Sequence, residues 1–170
     1  LTYDFMSLSV GGSCRPLLLD AKGKIQLAFY AAMTDECHLL IDATSGHGEA
    51  IIERLDMFHF GEDFHLEDIR DEMGLLTILG HDVERCVSSL LGGSLEAPWQ
   101  NAPAPFDLDG TQIAEARIWI SRVQRFGEEC VDLWHRTDDS EHLINHLLAA
   151  GIKPVGQHAC EVRRIERCIP

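Results

Sequence analysis

Basic side chains, paired cysteines and long apolar runs are all scarce in this chain, and each shortage removes a class of protein. Lys and Arg number 14 against 28 Asp and Glu, a formal net charge of −14. A basic footprint able to hold a phosphate backbone is therefore lacking, and direct nucleic-acid binding is not expected. The same deficit disfavours docking on an anionic membrane, and no apolar stretch reaches the ~20 residues that cross a bilayer. The six cysteines (14, 37, 86, 130, 160 and 168) include no Cys-x-x-Cys and no other short pairing, so neither a zinc ribbon nor a disulfide framework is spelled out. The chain opens on Leu1 without a secretory pattern, and reduced thiols in a cytoplasmic protein are the expectation. No internal repeat or low-complexity segment is visible.

What remains is ordinary globular material. The 170 residues are 45% apolar and 25% charged, enough for a single domain over 1–170 with a sizeable core. Leu1 to Val10 is rich in strand formers, and Pro16 to Asp20 is read as its partner in a β-hairpin over 1–20. Ile25 to Ala43 alternates like a strand at Ile25, Leu27 and Phe29, but its alanines favour a helix over 24–42. The spacing of Leu66, Ile69, Met73, Leu76, Val83, Val87 and Leu90 predicts an amphipathic helix over 65–91. Residues 92–110, with three glycine and three proline residues, read as a long loop. Ile113 to Trp134 carries a helical stripe, and Asp139 to Ala150 a shorter helix stopped by Gly151. The fold class expected is thus mainly α: a β-hairpin, a helical core over 24–150 and a basic tail over 151–170.

The chemistry concentrates between Ser45 and Gly93. Ser45-Gly-His-Gly-Glu49 opens a helix on which His47 shares a face with Ile51, Leu55 and Phe58. His81-Asp82 falls in the middle of the 65–91 stripe, and an ionised carboxylate there needs a cation or several hydrogen bonds. Imidazole and carboxylate ligands of this kind suit a divalent metal such as Mn, Fe, Co, Ni or Zn. His142 and His146, at i and i+4 on the 139–150 helix, are a secondary metal pair.

A first His followed 34 positions later by His-Asp, within Leu75-Leu-Thr-Ile-Leu-Gly-His-Asp-Val83, resembles the HD-domain metal-dependent phosphohydrolases. The resemblance covers about residues 45–92. It implies a hydrolase in which His47, His81 and Asp82 hold the metal, and the metal generates hydroxide and polarises a phosphoryl oxygen. Glu84 or Glu49 would then act as general acid or base, and Arg54 and Arg85 would hold the phosphate of a nucleotide or other small ester. Arg85 stands three residues after the motif Asp, where the nucleotidase branch has an acidic residue. Asp132 stands at a suitable separation for the family's further aspartate, although helical periodicity sets it in a row with Arg125, Glu128 and Arg136.

Two other patterns stand in the sequence. Phe106-Asp-Leu-Asp-Gly-Thr111 is similar to the first motif of haloacid dehalogenase-like phosphatases, but Pro103 and Pro105 exclude the central strand that motif requires. Asp109 is read instead as a helix N-cap. The acidic surface supports a second function class, a non-catalytic helical interaction protein of inhibitor, immunity or nucleic-acid-mimic type that neutralises a basic protein partner. Oligomeric state is not legible in these residues.

Overall fold

A computed structural model of the chain describes residues 8–9, 13–34, 36–43, 46–57, 59, 61, 63–91, 99–108 and 111–169, with side chains at these positions except 84, 89–91, 99–108 and 111–117. The described chain divides into two compact units, Leu1–Arg70 and Asp71–Pro170.

The first unit is an antiparallel sheet with one helix. Its strands are β1 (Ser13–Cys14), β2 (Leu17–Leu19), β3 (Ile25–Met33) and β4 (Leu39–Ala43), followed by α1 (Gly48–Asp56). β3 is central: β1 and β2 pair along one edge and β4 along the other. The β2–β3 turn is set by Asp20, whose Oδ1 accepts from the backbone N–H of Lys22 and of Lys24, both at 2.8 Å, while Gly23 takes φ 79°. Leu18, Phe29, Ala31 and Ile51 form the buried cluster. The helix expected over 24–42 is therefore corrected to two strands. Pairing on both edges of β3 supplies more hydrogen bonds and side-chain contact than alanine propensity can offset. Leu17–Leu19 is a strand, but its partner is β3; most of the strand expected over 1–10 lies outside the described residues.

The second unit runs β5 (Met73–Leu79), α2 (Val83–Leu91), β6 (Trp99–Leu108), β7 (Thr111–Arg125), β8 (Glu128–Arg136), a 3-10 turn over Thr137–Asp139, α3 (Ser140–Ala149) and α4 (Gln157–Glu166). The sheet order is β5-β8-β7-β6, antiparallel throughout. Ile78, Ile118, Ile120, Val131 and Leu133 share one face by strand parity, and they cluster with Val83 and Val87 of α2 and Leu143 and Leu147 of α3. A two-residue turn joins β7 to β8, with Phe126 at φ 52° and Gly127 at φ 72°. Positive φ at both central positions gives the twist that a tight hairpin needs.

The expected mainly-α architecture is overturned by these two antiparallel sheets. The helix expected over 65–91 is strand β5, a turn and α2; the one expected over 113–134 is the β7–β8 hairpin. Part of the 92–110 loop is edge strand β6, where Pro103 and Pro105 are tolerated because an edge leaves some N–H positions unpaired. Residues 92–98 and 109–110, including the expected cap Asp109, lie outside the described residues. The 151–170 tail carries α4. No described helix is long and apolar enough to cross a membrane.

Candidate functional site

The most chemically loaded part of the second unit is the sheet face opposite its apolar core. Strand parity puts Thr77, Asp132 and Ser121 in one row, since Asp132 pairs with Thr77 of β5 and with Ser121 of β7. Asp132 is 1% exposed and Arg125 9%. Arg125 binds the carboxylate in a fork, Nε donating to Oδ1 at 3.0 Å and Nη2 to Oδ2 at 2.5 Å, and the Thr77 hydroxyl donates to Oδ1 at 2.7 Å. A bidentate guanidinium plus a hydroxyl neutralises and satisfies the buried charge. Ser121 Oγ is buried without a hydrogen-bond partner among the described residues. Cys130, on the same face, has its thiol pushed up to about 11 by burial, which leaves it protonated and unreactive at neutral pH.

Near the β7–β8 turn a cleft of about 290 Å³ opens between the sheet end and α4, with Leu79, Phe126 and Glu128 on one side and Val155, Ala159 and Cys160 on the other. Glu128 is engaged by two cations. Arg163 Nε donates to its Oε1 at 2.8 Å and Arg167 Nη2 at 2.7 Å, and chiefly the Arg163 hydrogen bond holds the carboxyl below its ordinary range.

His135, near the end of β8, is buried beside the first residue of α3: Nδ1 lies 3.3 Å from the Leu133 carbonyl and Nε2 2.9 Å from Ser140 Oγ. With Nδ1–H donating to the carbonyl, Nε2 is left to accept from the hydroxyl. Burial pushes the His135 pKa down.

The structure scatters the residues singled out for phosphohydrolysis. His47 is exposed at the N-cap of α1 and makes no side-chain capping bond, and Glu49 is exposed in that helix's first turn. Arg54 lies near that helix's end, its Nη1 3.8 Å from Met57 Sδ. His81 and Asp82 are exposed, and Asp82 pairs with Arg85 at 3.2 Å. Glu84 occupies the first turn of α2. Asp132 is committed to Arg125. His142 and His146 are half-buried on α3. Among the described residues no group of three His, Cys, Asp or Glu is placed to hold a metal ion. The divalent-metal expectation is corrected on two grounds. The His81-Asp82 charge needs no cation because it is solvated and paired, and the buried Asp132 already has its cation in Arg125. Of the residues at the cleft, His81 was singled out, whereas Phe126, Glu128, Cys160 and Arg163 were missed. Their signal was Arg125-Phe-Gly-Glu128, a turn between two runs of strand-forming residues.

Comparison with known proteins gives a consistent result. The family profile described as the GCVT N-terminal domain matches residues 1–170. The chain is 28% identical over 175 residues to an aminomethyltransferase of Geobacillus kaustophilus (strain HTA426), covering 99% of this chain and 43% of that protein. It is 31% identical over 117 residues to an aminomethyltransferase of Geobacillus thermodenitrificans (strain NG80-2), covering 66% of this chain and 31% of that protein. A third aminomethyltransferase, from Natranaerobius thermophilus, is 29% identical over 115 residues, covering 64% of this chain and 30% of that protein. The chain thus spans less than half the length of these relatives. The match overturns the HD-domain resemblance, together with the phosphohydrolase and the acidic interaction-protein readings built on the sequence. Matched from its first residue to its last, the chain belongs to the GCVT N-terminal domain family.

Proposed function

We propose that this chain is part of an aminomethyltransferase-type enzyme, one that moves an aminomethyl carbon onto tetrahydrofolate, the one-carbon carrier used by that family. One observation carries this reading: the profile match over residues 1–170, with aminomethyltransferases among the relatives. The free thiols of all six cysteines support placing the protein in the cytoplasm.

A reduced pterin presents a row of N–H donors that a free buried carboxylate would accept. The carboxylate at the cleft, Glu128, is already held by Arg163 and Arg167. Asp132, the buried carboxylate of the sheet, is closed off by Arg125 and Thr77. Glu128 and Asp132 are therefore not the carboxylates that would receive the pterin.

The test is transfer of an isotope-labelled aminomethyl carbon to tetrahydrofolate by the purified protein, followed by mass spectrometry, alongside a calorimetric titration with tetrahydrofolate. Labelled one-carbon folate and saturable binding are expected. Failure of both overturns the reading.

A further inference from the structure

α4 is attached differently from the other helices of its unit. α2 contributes Val83 and Val87 to the core and α3 contributes Leu143 and Leu147. α4 buries no residue, and its Val162 and Ile165 are 43% and 65% exposed. Its hold on the sheet is polar. A single oxygen, Glu128 Oε1, receives both Arg163 and Arg167, and Arg164 Nη1 donates to the Ile169 carbonyl and so folds the following residues back on the helix. Ile169 then lies over the β7–β8 turn, where a Cβ added at Gly127 would come 2.7 Å from Ile169 Cδ1.

A helix this short is marginal in isolation, and ion pairs open to water add little each. α4 therefore stands at the low-stability end of its unit, where local opening occurs first. The segment before it offers a pivot: Gly151 takes φ 85°, and residues 152–156, with Pro154 and Gly156, have neither helix nor strand. α4 and the segment before it close one side of the cleft, with Val155, Ala159 and Cys160 standing against Leu79 and Phe126 on the other.

We propose that α4 is a gate, a helix held shut by Glu128 and its two arginines, which leaves the end of the sheet as one unit and opens the cleft behind it. Hydrogen exchange read peptide by peptide, with the alkylation rate of the half-buried Cys160 as a second reporter, tests this on the full chain. The α4 amides are expected to exchange about tenfold or more faster than those of β8. Glu128→Gln is expected to raise α4 exchange and Cys160 alkylation together, by about three- to tenfold, while α3 and β8 stay unchanged. Raising salt from about 0.05 to 0.5 M is expected to act in the same direction. A common exchange rate for α4 and β8 overturns the proposal, as does a Glu128→Gln protein in which neither reporter moves. Should that variant not fold, Arg167→Gln at the exposed arm is expected to give the same selective rise, and unchanged α4 protection there overturns the proposal equally.

Discussion

Asp132 and Arg125 form a buried charge pair, brought together where the β7–β8 hairpin turns the chain back at Phe126-Gly127. Helical spacing also sets the two in one row, but periodicity assigns a charged row to solvent, so neither the pairing nor the burial was legible. Breaking such a pair leaves an uncompensated interior charge, so Arg125→Met is expected to cost about 3–5 kcal/mol, while Arg125→Met with Asp132→Leu recovers most of the loss. Urea denaturation of the two variants measures this, and a double variant as unstable as the single one contradicts it. His135 gives a pH signature. Its neutral ring is favoured by burial, so its folded pKa lies below the ordinary 6.5. The unfolded chain takes up that proton first as pH falls, so the His135 contribution is complete above about 6.5 and declines as pH drops from there through the folded value. Glu128 and Asp68 also have depressed pKa values, but in the unfolded chain they titrate only near the ordinary 4.5 and 3.8. A falling Tm between about pH 6.5 and 5 is thus expected to flatten in His135→Gln. An unchanged slope in that variant excludes the assignment. Gly74 faces the same ring: an added Cβ would stand 2.7 Å from His135 Nε2.

Strand length and two-sided burial explain why several elements were read as the wrong type. β8 is buried at every position from Cys130 to His135, so it lacks the apolar–polar alternation that marks a half-exposed strand. A run apolar on both faces satisfies a helical template as readily as an extended one. β5 fails in the same way, since Met73 and Leu76 fall on a helical stripe that continues correctly into α2 at Val83 and Val87. The shorter helix over 139–150 was legible because α3 is amphipathic and ends at a glycine in the left-handed region, Gly151. Its two faces differ sharply: Leu147 is 7% exposed and Leu148 46%. Leu147→Ala is expected to cost about 2–5 kcal/mol through lost burial and the cavity left behind, and Leu148→Ala within about 0.5 kcal/mol of zero. Equal losses at the two positions would mean that α3 is not docked by this face.

Among the described residues, the units Leu1–Arg70 and Asp71–Pro170 differ in their buried apolar clusters. The first joins Leu18, Phe29, Ala31 and Ile51, with Leu27, Ile41 and Leu55 among those partly buried against them. The second joins Ile78, Val83, Val87, Ile118, Ile120, Val131, Leu133, Leu143 and Leu147 in one cluster. Backbone ordering costs about 1–2 kcal/mol per residue in both, so a unit of about 70 residues with so small a buried cluster sits near the size at which a single core stops sufficing. The chain from 71 to 170 has a closed account of its own: a four-stranded antiparallel sheet, two helices packed on its apolar face, and the buried Asp132 charge neutralised by a residue of the same unit. Expressed alone, residues 71–170 are expected to give a cooperative urea transition and a structured near-UV spectrum. Residues 1–70 alone are expected to give neither at the same temperature. Calorimetry and circular dichroism on the two fragments measure this directly. A 71–170 fragment that melts without cooperativity would show that its sheet depends on the first seventy residues, and the Arg125–Asp132 pair would then be an insufficient closure for that face.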